Sequence, residues 1–250
     1  MTCITGLTAQ NTTGVIDIFP VTPEFVSTAL DAVFADVGTD AVKLGMLTSM
    51  ETIKAVTLKL IEYKATNIIV DPVMISTSGS KLLPDSAAQA YLTDMFPLAT
   101  LITPNLGEAI FLNSLISGEM ASVESLDDVK TLAKSLYQLG SKYVLVKGGH
   151  LPLNQDYQKA TEQDAEKLVV DVLYDGTEFE LIQSSYHVTK NSHGTGCTLS
   201  SAIAANLAKG QSISEAVTNG IDFVQGALSD GLQIGHGNGP INHLYKFALI

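Results

Sequence analysis

The sequence predicts a three-layer α/β/α sandwich with a mostly parallel central sheet, and three observations support this class. Short apolar runs alternate with longer amphipathic runs along the 250 residues, as expected where strands and helices alternate. The short runs are almost continuously apolar, which is typical of strands buried on both faces. Late in the chain, two such runs are joined by Asp175-Gly176, the pattern of an antiparallel hairpin. We expect residues 1–250 to form one domain.

The predicted strands locate the site. Four runs are predicted as parallel strands: Ala41–Gly45, Asn67–Asp71, Thr100–Thr103 and Tyr143–Lys147. The hairpin adds Leu168–Tyr174 and Phe179–Ile182. In open α/β sheets, ligands bind where the carboxyl ends of the parallel strands meet. Residues that end or follow these strands are therefore the first candidates for chemistry.

Helix start signals separate the strands. Thr22 and Pro23 are a cap and a first-turn proline. Capping boxes at Thr48–Glu51 and Ser212–Glu215 open two further helices. Together with three other amphipathic or apolar runs, these signals predict helices over about 22–37, 48–64, 85–94, 126–139, 194–208 and 212–227.

Composition excludes several classes of function. The chain has 14 basic residues, all lysine, against 26 acidic ones, for a net charge of −12. A chain this acidic and without arginine is a poor ligand for nucleic acid or an anionic membrane. If it handles phosphate, it must use backbone N–H groups, metal ions and one or two lysines. No apolar run reaches transmembrane length, and Cys3 and Cys197 have no disulfide spacing, so we expect a cytoplasmic protein.

The segment Gly194-Thr-Gly-Cys197 precedes an apolar helical run. Its glycines would let an anion approach the N–H groups of Thr195, Gly196 and Cys197 at the start of a helix. The same position would lower the pKa of the Cys197 thiol. The alternative is a glycine-rich turn with an inert cysteine, and this segment alone favours neither interpretation.

Asn105 and Glu108 are three residues apart just after Pro104. On one face of a first helical turn, an amide and a carboxylate can hold Mg²⁺ through water. The same spacing also fits an ordinary capping box, which spacing alone favours.

Two charged residues end predicted strands. Asp71 needs a partner if it is buried: a metal ion, a hydroxyl nucleophile or neighbouring backbone N–H groups would serve, and its position alone favours backbone N–H groups at least as much as the others. Lys147 could lie near a transferring phosphate, or it could be a solvated lysine before a turn.

In this order, the segments resemble the hydroxymethylpyrimidine/phosphomethylpyrimidine kinases of thiamine biosynthesis, which belong to the ribokinase-like superfamily. The resemblance covers nearly the whole chain, and the stretch 151–166 and the C-terminal run are similar to those of fungal members. The matching stretches are 5–12 (TGLTAQNT), 42–47 (VKLGML), 68–83 (IIVDPVMISTSGSKLL), 101–109 (LITPNLGEA), 144–150 (VLVKGGH) and 192–205 (SHGTGCTLSSAIAA).

The resemblance implies phosphorylation of 4-amino-5-hydroxymethyl-2-methylpyrimidine, and then of its monophosphate, by ATP with Mg²⁺ in a homodimer. It implies that Gln10 and Met46 bind the pyrimidine and that Gly194, Thr195 and Gly196 form an anion hole. Catalysis would fall to two residues, Cys197 and Lys147. The magnesium residues implied are Asp71, Asn105 and Glu108.

Two other functions stay open. Pyridoxal kinases that resemble this family phosphorylate a similar hydroxymethyl ring, although Gln10 favours the aminopyrimidine. Family members usually begin with a further strand, a Gly/Ser-rich loop and a helix, whereas here Met1 falls just before the LTAQNT strand. We therefore also consider a truncated gene product or a catalytically inactive, ligand-binding paralogue.

Overall fold

The computed structural model describes residues 1–74 and 85–247. Its elements, in chain order, are β1 (Gly6–Asn11), β2 (Gly14–Pro20), α1 (Pro23–Asp36), β3 (Val42–Leu44), α2 (Met50–Glu62), β4 (Ile68–Val70), α3 (Asp85–Ala90), β5 (Leu101–Ile102), α4 (Leu106–Ser117), α5 (Leu126–Tyr137), β6 (Tyr143–Val146), β7 (Leu168–Tyr174), β8 (Phe179–Ser185), α6 (Thr195–Ala208) and α7 (Ile213–Ser229). Between α3 and β5, the chain continues in a π-type segment over Tyr91–Met95 and a 3₁₀ turn over Phe96–Leu98.

The central sheet has the order β3-β4-β5-β6-β7-β8. Strands β3 to β6 are parallel, and β7 and β8 are added antiparallel. This arrangement confirms the predicted mostly parallel sheet and the late hairpin.

Side chains alternate between two cores along each strand, as strand geometry requires. On β4, Ile68 and Val70 face the helices α1 to α5, whereas Ile69 faces α6 and α7. Leu101 and Leu145 of the next parallel strands join Ile69 in the second core. The sheet is therefore covered on both sides, and the predicted three-layer sandwich is confirmed.

The predicted helices are present, with one start displaced. The cap of α2 is Ser49, whose hydroxyl accepts from the Thr52 N–H at 3.1 Å. The prediction of a capping box at Thr48–Glu51 was wrong by one residue: the Thr48 hydroxyl is buried without a partner in the described part of the chain. The box at Ser212 is confirmed, with the Glu215 carboxylate bonded back to it.

Strands β1 and β2 form a separate antiparallel hairpin that the sequence did not predict. Its base is fixed where the Thr5 hydroxyl donates to the Met46 carbonyl at 2.6 Å. Its tip is fixed by Thr12, whose carbonyl accepts from the Asn238 N–H at 2.8 Å. Part of the stretch resembling the kinase family, residues 75–83, lies outside the described residues. Within them, no helix has both the length and the apolarity needed to cross a membrane.

Candidate active site

Three neighbouring strands end in polar side chains that contact one another. The Lys147 ammonium, after β6, donates to Asp71 Oδ1, after β4, at 2.8 Å. The Thr103 hydroxyl, after β5, donates to the same oxygen at 3.3 Å. Ser200 of α6 donates to Asp71 Oδ2 at 3.4 Å. The partners of the Asp71 carboxylate in the described residues are thus a lysine and two protein hydroxyl groups, none of which was considered for it from the sequence.

Lys147 is a largely buried cation. Its side chain is 13% exposed and that of Asp71 is 2% exposed, so the alternative of a solvated lysine is wrong. Burial by itself lowers the pKa of Lys147, but the charges of Asp71 and Glu108 outweigh that effect, and the pKa is raised. The amine therefore stays charged at the edge of the sheet.

Asn105 and Glu108 form the capping box of α4. The Asn105 amide oxygen accepts from the Glu108 N–H at 2.9 Å, and the Glu108 carboxylate accepts from the Asn105 N–H at 2.8 Å. Glu108 is buried, and this burial raises its pKa to about 7. An isolated bridge pairs Asn105 with Lys147, which places the Glu108 carboxylate beside the lysine.

These residues suit Mg²⁺ in donor type but not as a ready-made cage. Carboxylate and amide oxygens are the ligands that this ion prefers. However, Asp71 Oδ1, Asn105 Oδ1 and Glu108 Oε2 already accept hydrogen bonds from the protein. Among the described side chains, in residues 1–74 and 87–247, no group of three His, Cys, Asp or Glu residues is arranged to bind a metal directly. The fit is therefore to an ion held through water by Asp71 and Glu108.

The start of α6 leaves backbone donors open. Gly194 takes a left-handed conformation (φ +89°) and offers no side-chain cap, so the first-turn N–H groups depend on other acceptors. The Thr195 N–H donates to the Ser192 carbonyl at 3.4 Å. Within the described residues, the N–H groups of Gly196 and Cys197 have no acceptor. The anion hole predicted from three N–H groups is thus reduced to two that are free.

The open helix start lies against the ion pair. A Cβ added to Gly196 would come within 3.0 Å of the Lys147 ammonium and 3.7 Å of Asp71 Oδ2. Glycine at this position therefore lets the backbone approach the charged pair closely. Free N–H groups and a lysine together form a site suited to an anion.

The expectation of a lowered Cys197 pKa was wrong. Although the side chain reaches solvent, burial against neighbouring atoms raises the pKa of the thiol, and Asp71 raises it further. The charges of Lys43 and Lys147 act in the opposite direction without reversing this shift. The group at this position is therefore a protonated thiol at neutral pH.

Gln10 and Met46 lie on the hairpin side of the site. Met46 follows β3, and its methyl group would be 3.1 Å from a Cβ added to Gly6 at the start of β1. Gln10 lies further along β1, opposite Val15. Beyond the hairpin tip, residues 236–239 lead to His193, whose N–H donates to the Gly239 carbonyl at 3.0 Å. The hairpin thus spans from Met46 toward the turn before α6, with Gln10 between its two anchors.

The sequence analysis missed two charged residues beside the site. Lys43 lies in the middle of β3 and acts on Cys197. Asp171 lies in β7, accepts from the Gly148 N–H at 2.7 Å, and has a pKa raised by burial to about 6. Each is a lone charge inside an apolar strand run, AVKLG or LVVDVLY. That pattern was the available signal, because an apolar strand rarely contains a charge without a partner.

The chain matches known proteins along most of its length. The family model described as phosphomethylpyrimidine kinase matches residues 1–242. The chain is 40% identical over 241 residues to the thiamine biosynthesis bifunctional protein ThiED of Geobacter sulfurreducens, covering 96% of this chain and 45% of that protein. It is 40% identical over 243 residues to the hydroxymethylpyrimidine/phosphomethylpyrimidine kinase of Bacillus subtilis, covering 97% and 83%. It therefore spans less than half of the first relative and most of the second.

Two solved structures share the fold. The ADP complex of Bacillus subtilis pyridoxal kinase superposes with a TM-score of 0.82 at 30% identity, covering 99% of this chain and 87% of that one. The phosphomethylpyrimidine kinase of Clostridium difficile superposes with a TM-score of 0.70 at 35% identity, covering 90% and 84%. Overall shape therefore favours the first structure, and sequence identity favours the second.

Proposed function

The chain belongs to the phosphomethylpyrimidine kinase family, and we propose that it phosphorylates 4-amino-5-hydroxymethyl-2-methylpyrimidine and then the resulting monophosphate, with ATP as donor. The observation that carries this proposal is the open start of α6 beside the Lys147–Asp71 pair. Within the described residues, the N–H groups of Gly196 and Cys197 have no acceptor, and they lie beside a largely buried lysine at the edge of the sheet where β4, β5 and β6 end. Phosphoryl transfer needs this kind of positioning and charge stabilisation more than it needs covalent chemistry.

Several residues of the chain would have separate roles in the transfer of the phosphoryl group. The N–H groups of Gly196 and Cys197 stabilise negative charge on the oxygens of the transferring group. Lys147, held in place by Asp71, keeps an ammonium donor beside these N–H groups. The sulfur of Cys197 orients the acceptor hydroxyl, whose oxygen bonds to the γ-phosphorus of ATP as the bond to the leaving ADP breaks. Because the raised pKa of Cys197 keeps it a thiol, the hydroxyl proton passes through water to the solvent.

Asp71 and Glu108 would hold Mg²⁺ through water, with Asn105 fixing Glu108 through the capping box. When bound, the ion would neutralise negative charge on the ATP phosphates. The raised pKa of Glu108, about 7, makes this carboxylate partly protonated at neutral pH without an ion nearby.

We propose that Gln10 gives preference for the aminopyrimidine. Its side-chain amide offers an acceptor and two donors, which complement an exocyclic N–H group beside a ring nitrogen. Within the described residues, the only hydrogen bond of this amide is a long one, 3.4 Å from the Thr8 hydroxyl. The amide is therefore available to a ligand.

Pyridoxal phosphorylation is the second candidate, favoured by the TM-score of 0.82 with a pyridoxal kinase. We rank it lower because Gln10 suits the aminopyrimidine. Identity is also higher, at 40%, with a relative named for the pyrimidine activity.

We further propose that residues 1–250 work as one kinase domain in a cytoplasmic homodimer. The exposed cross-strand pair Leu7 and Phe19, 51% and 68% exposed, gives the hairpin an apolar face that a second copy could cover. The unpaired state of Cys3 and Cys197 is consistent with a reducing compartment.

The test of the proposed function is to incubate the chain with ATP, Mg²⁺ and the pyrimidine alcohol and to follow products by mass spectrometry. Successive appearance of the monophosphate and diphosphate supports the proposal. Formation of neither, in a folded sample that still binds the pyrimidine, would favour the inactive paralogue.

A further inference from the structure

Lys43 points toward the start of α6 from the edge strand of the sheet. It lies opposite Ile69 of β4 in the parallel register. Ile69 belongs to the core beneath α6 and α7, and Ala41 packs against the same core. Val42 and Leu44 face the other core. Because directly paired strand residues share a face, Lys43 lies on the side that α6 covers.

The Lys43 ammonium turns along β3 toward the carboxyl end of the strand. A Cβ added to Gly45 would come within 2.5 Å of the Lys43 Nζ atom. Gly45 does not have the left-handed backbone conformation that would require glycine. Glycine at this position instead leaves space for the Lys43 ammonium, because it has no Cβ. The positive charge of Lys43 acts on the Cys197 thiol, and it lowers the pKa of that thiol more strongly than the charge of Lys147 does.

The charge of Lys43 is not balanced by a carboxylate among the described side chains, whereas the charge of Lys147 is largely balanced. Lys147 is paired with Asp71 at 2.8 Å. Among the side chains that the structure describes, in residues 1–74 and 87–247, Lys43 forms no salt bridge with a carboxylate. Two carboxylates, Asp71 and Glu108, face Lys147, so this part of the site offers little net positive charge to an anion. A second cation is needed if a dianionic acceptor is to bind there.

Lys43 lies on the side of the site where the proposed acceptor would bind. It is on β3, whose next residues lead to Met46 and the base of the β1–β2 hairpin. Lys147 directly follows β6, which is separated from β3 by two strands. Lys43 therefore approaches Cys197 from the side of the proposed pyrimidine pocket. The two proposed acceptors differ on this side: the first is a neutral alcohol, and the second carries a phosphate monoester.

We infer that Lys43 binds the phosphate of the monophosphate acceptor and so gives this chain its second phosphorylation step. This inference rests on the proposed function. Lys43 would be a specificity-determining residue for the anionic acceptor, with its ammonium directed by the open space over Gly45.

The experiment compares both acceptors with four variants of the full chain. Lys43→Met removes the charge, Lys43→Arg keeps it, and Gly45→Ala keeps the lysine but displaces its ammonium. Lys142→Met is the matched control, because Lys142 is exposed and precedes β6 at the opposite end of that strand. The readouts are kcat/KM for each acceptor and calorimetric titration with the monophosphate in the absence of ATP. Thermal unfolding checks that each variant is folded.

A lost charge-assisted hydrogen bond should weaken monophosphate binding by roughly ten- to a hundredfold. We expect Lys43→Met and Gly45→Ala to show this loss in both readouts for the monophosphate, with a clearly smaller loss for the alcohol. Lys43→Arg should restore most of the binding, and Lys142→Met should match the wild type.

Equal losses for the two acceptors would overturn the inference, and so would unchanged monophosphate binding in Lys43→Met. If the wild type transfers phosphate to neither acceptor, the proposed function fails. The titration still reports on Lys43 in that case, because it measures monophosphate binding without turnover.

Discussion

Lys147 and Asp71 are 76 residues apart in the sequence, and they meet at 2.8 Å with Asp71 buried and Lys147 largely covered. Each follows a parallel strand, and β5, which ends at Ile102, lies between those strands. Taking two charges out of water is costly unless they remain paired. The pair therefore fixes the position of the lysine beside α6 and makes each residue depend on the other.

Replacing Lys147 by methionine should destabilise the fold as well as the activity. It leaves the Asp71 carboxylate buried without its main partner, and breaking a buried pair in this way typically costs about 3 kcal/mol or more. The free energy of unfolding measured with urea should fall by about that amount. The control is Lys130→Met, which removes an exposed pair with Asp127 and should change stability by less than about 1 kcal/mol.

A double variant, Lys147→Met with Asp71→Asn, should be more stable than the sum of the two single changes allows. If the changes in the free energy of unfolding were strictly additive, the two side chains would not stabilise each other, which would contradict their observed contact.

The sheet and its order of elements were largely predictable because local signals act within short spans. The run NIIVD predicted β4, and its continuous apolar character correctly indicated burial on both faces. Caps at Thr22 and Ser212 set two helix starts through hydrogen bonds to residues three positions away. Strand pairing then follows from the alternation of strands and helices.

Contacts over long sequence distances were not predictable from such signals. The Lys147 ammonium reaches Asp71 only because β4 and β6 end at the same edge of the sheet. The sequence around either residue does not indicate that the other is its partner. The pKa of Cys197 was predicted with the wrong sign because position at a helix start suggested a thiolate, whereas crowding by the surrounding side chains opposes the charge. The β1–β2 hairpin was missed although β2 contains the apolar run VIDIF, because most residues of both strands are exposed and neither strand belongs to the central sheet.

Glu108 should make stability depend on pH near neutrality. Burial raises its pKa from 4.5 to about 7, so the folded state binds the proton more tightly than the unfolded state. Stability contributed by the protonated form is therefore present below pH 4.5 and is lost as pH rises to about 7, by on the order of 3 kcal/mol at most.

Glu108→Gln keeps an acceptor for the Asn105 N–H but cannot ionise. Urea unfolding at several pH values between 5 and 8 should show a steeper loss of stability in the wild type than in this variant. Identical slopes would mean that Glu108 ionises as freely in the folded chain as in the unfolded one.

Cys197 should react as a thiol with a high pKa. In a Cys3→Ser background, the rate of alkylation by iodoacetamide should keep rising through pH 9, because the pKa lies above the ordinary value of 9.0 and the thiolate is the reactive form. Lys43→Met should shift the curve to still higher pH, since it removes a charge that favours the thiolate. An alkylation rate that levels off below pH 7 would show that Cys197 has a lowered pKa, as the sequence alone suggested.

Gln10 should affect the pyrimidine but not the nucleotide. Gln10→Leu removes the paired donor and acceptor, and a lost buried contact of this kind typically costs about 1–3 kcal/mol. Calorimetric titration should therefore show pyrimidine binding weakened by roughly ten- to a hundredfold, with ATP affinity nearly unchanged. An equal loss for both ligands would assign Gln10 to the support of the hairpin instead.

The central claim is that the chain phosphorylates the aminopyrimidine in preference to pyridoxal. The most direct test is a competition in which equal concentrations of 4-amino-5-hydroxymethyl-2-methylpyrimidine and pyridoxal share limiting ATP and Mg²⁺ in one reaction. The ratio of the two phosphorylated products, measured at early times, gives the ratio of kcat/KM directly. The structure predicts an excess of the pyrimidine product that falls or reverses in Gln10→Leu, whereas a predominance of pyridoxal phosphate in the wild type would contradict the account.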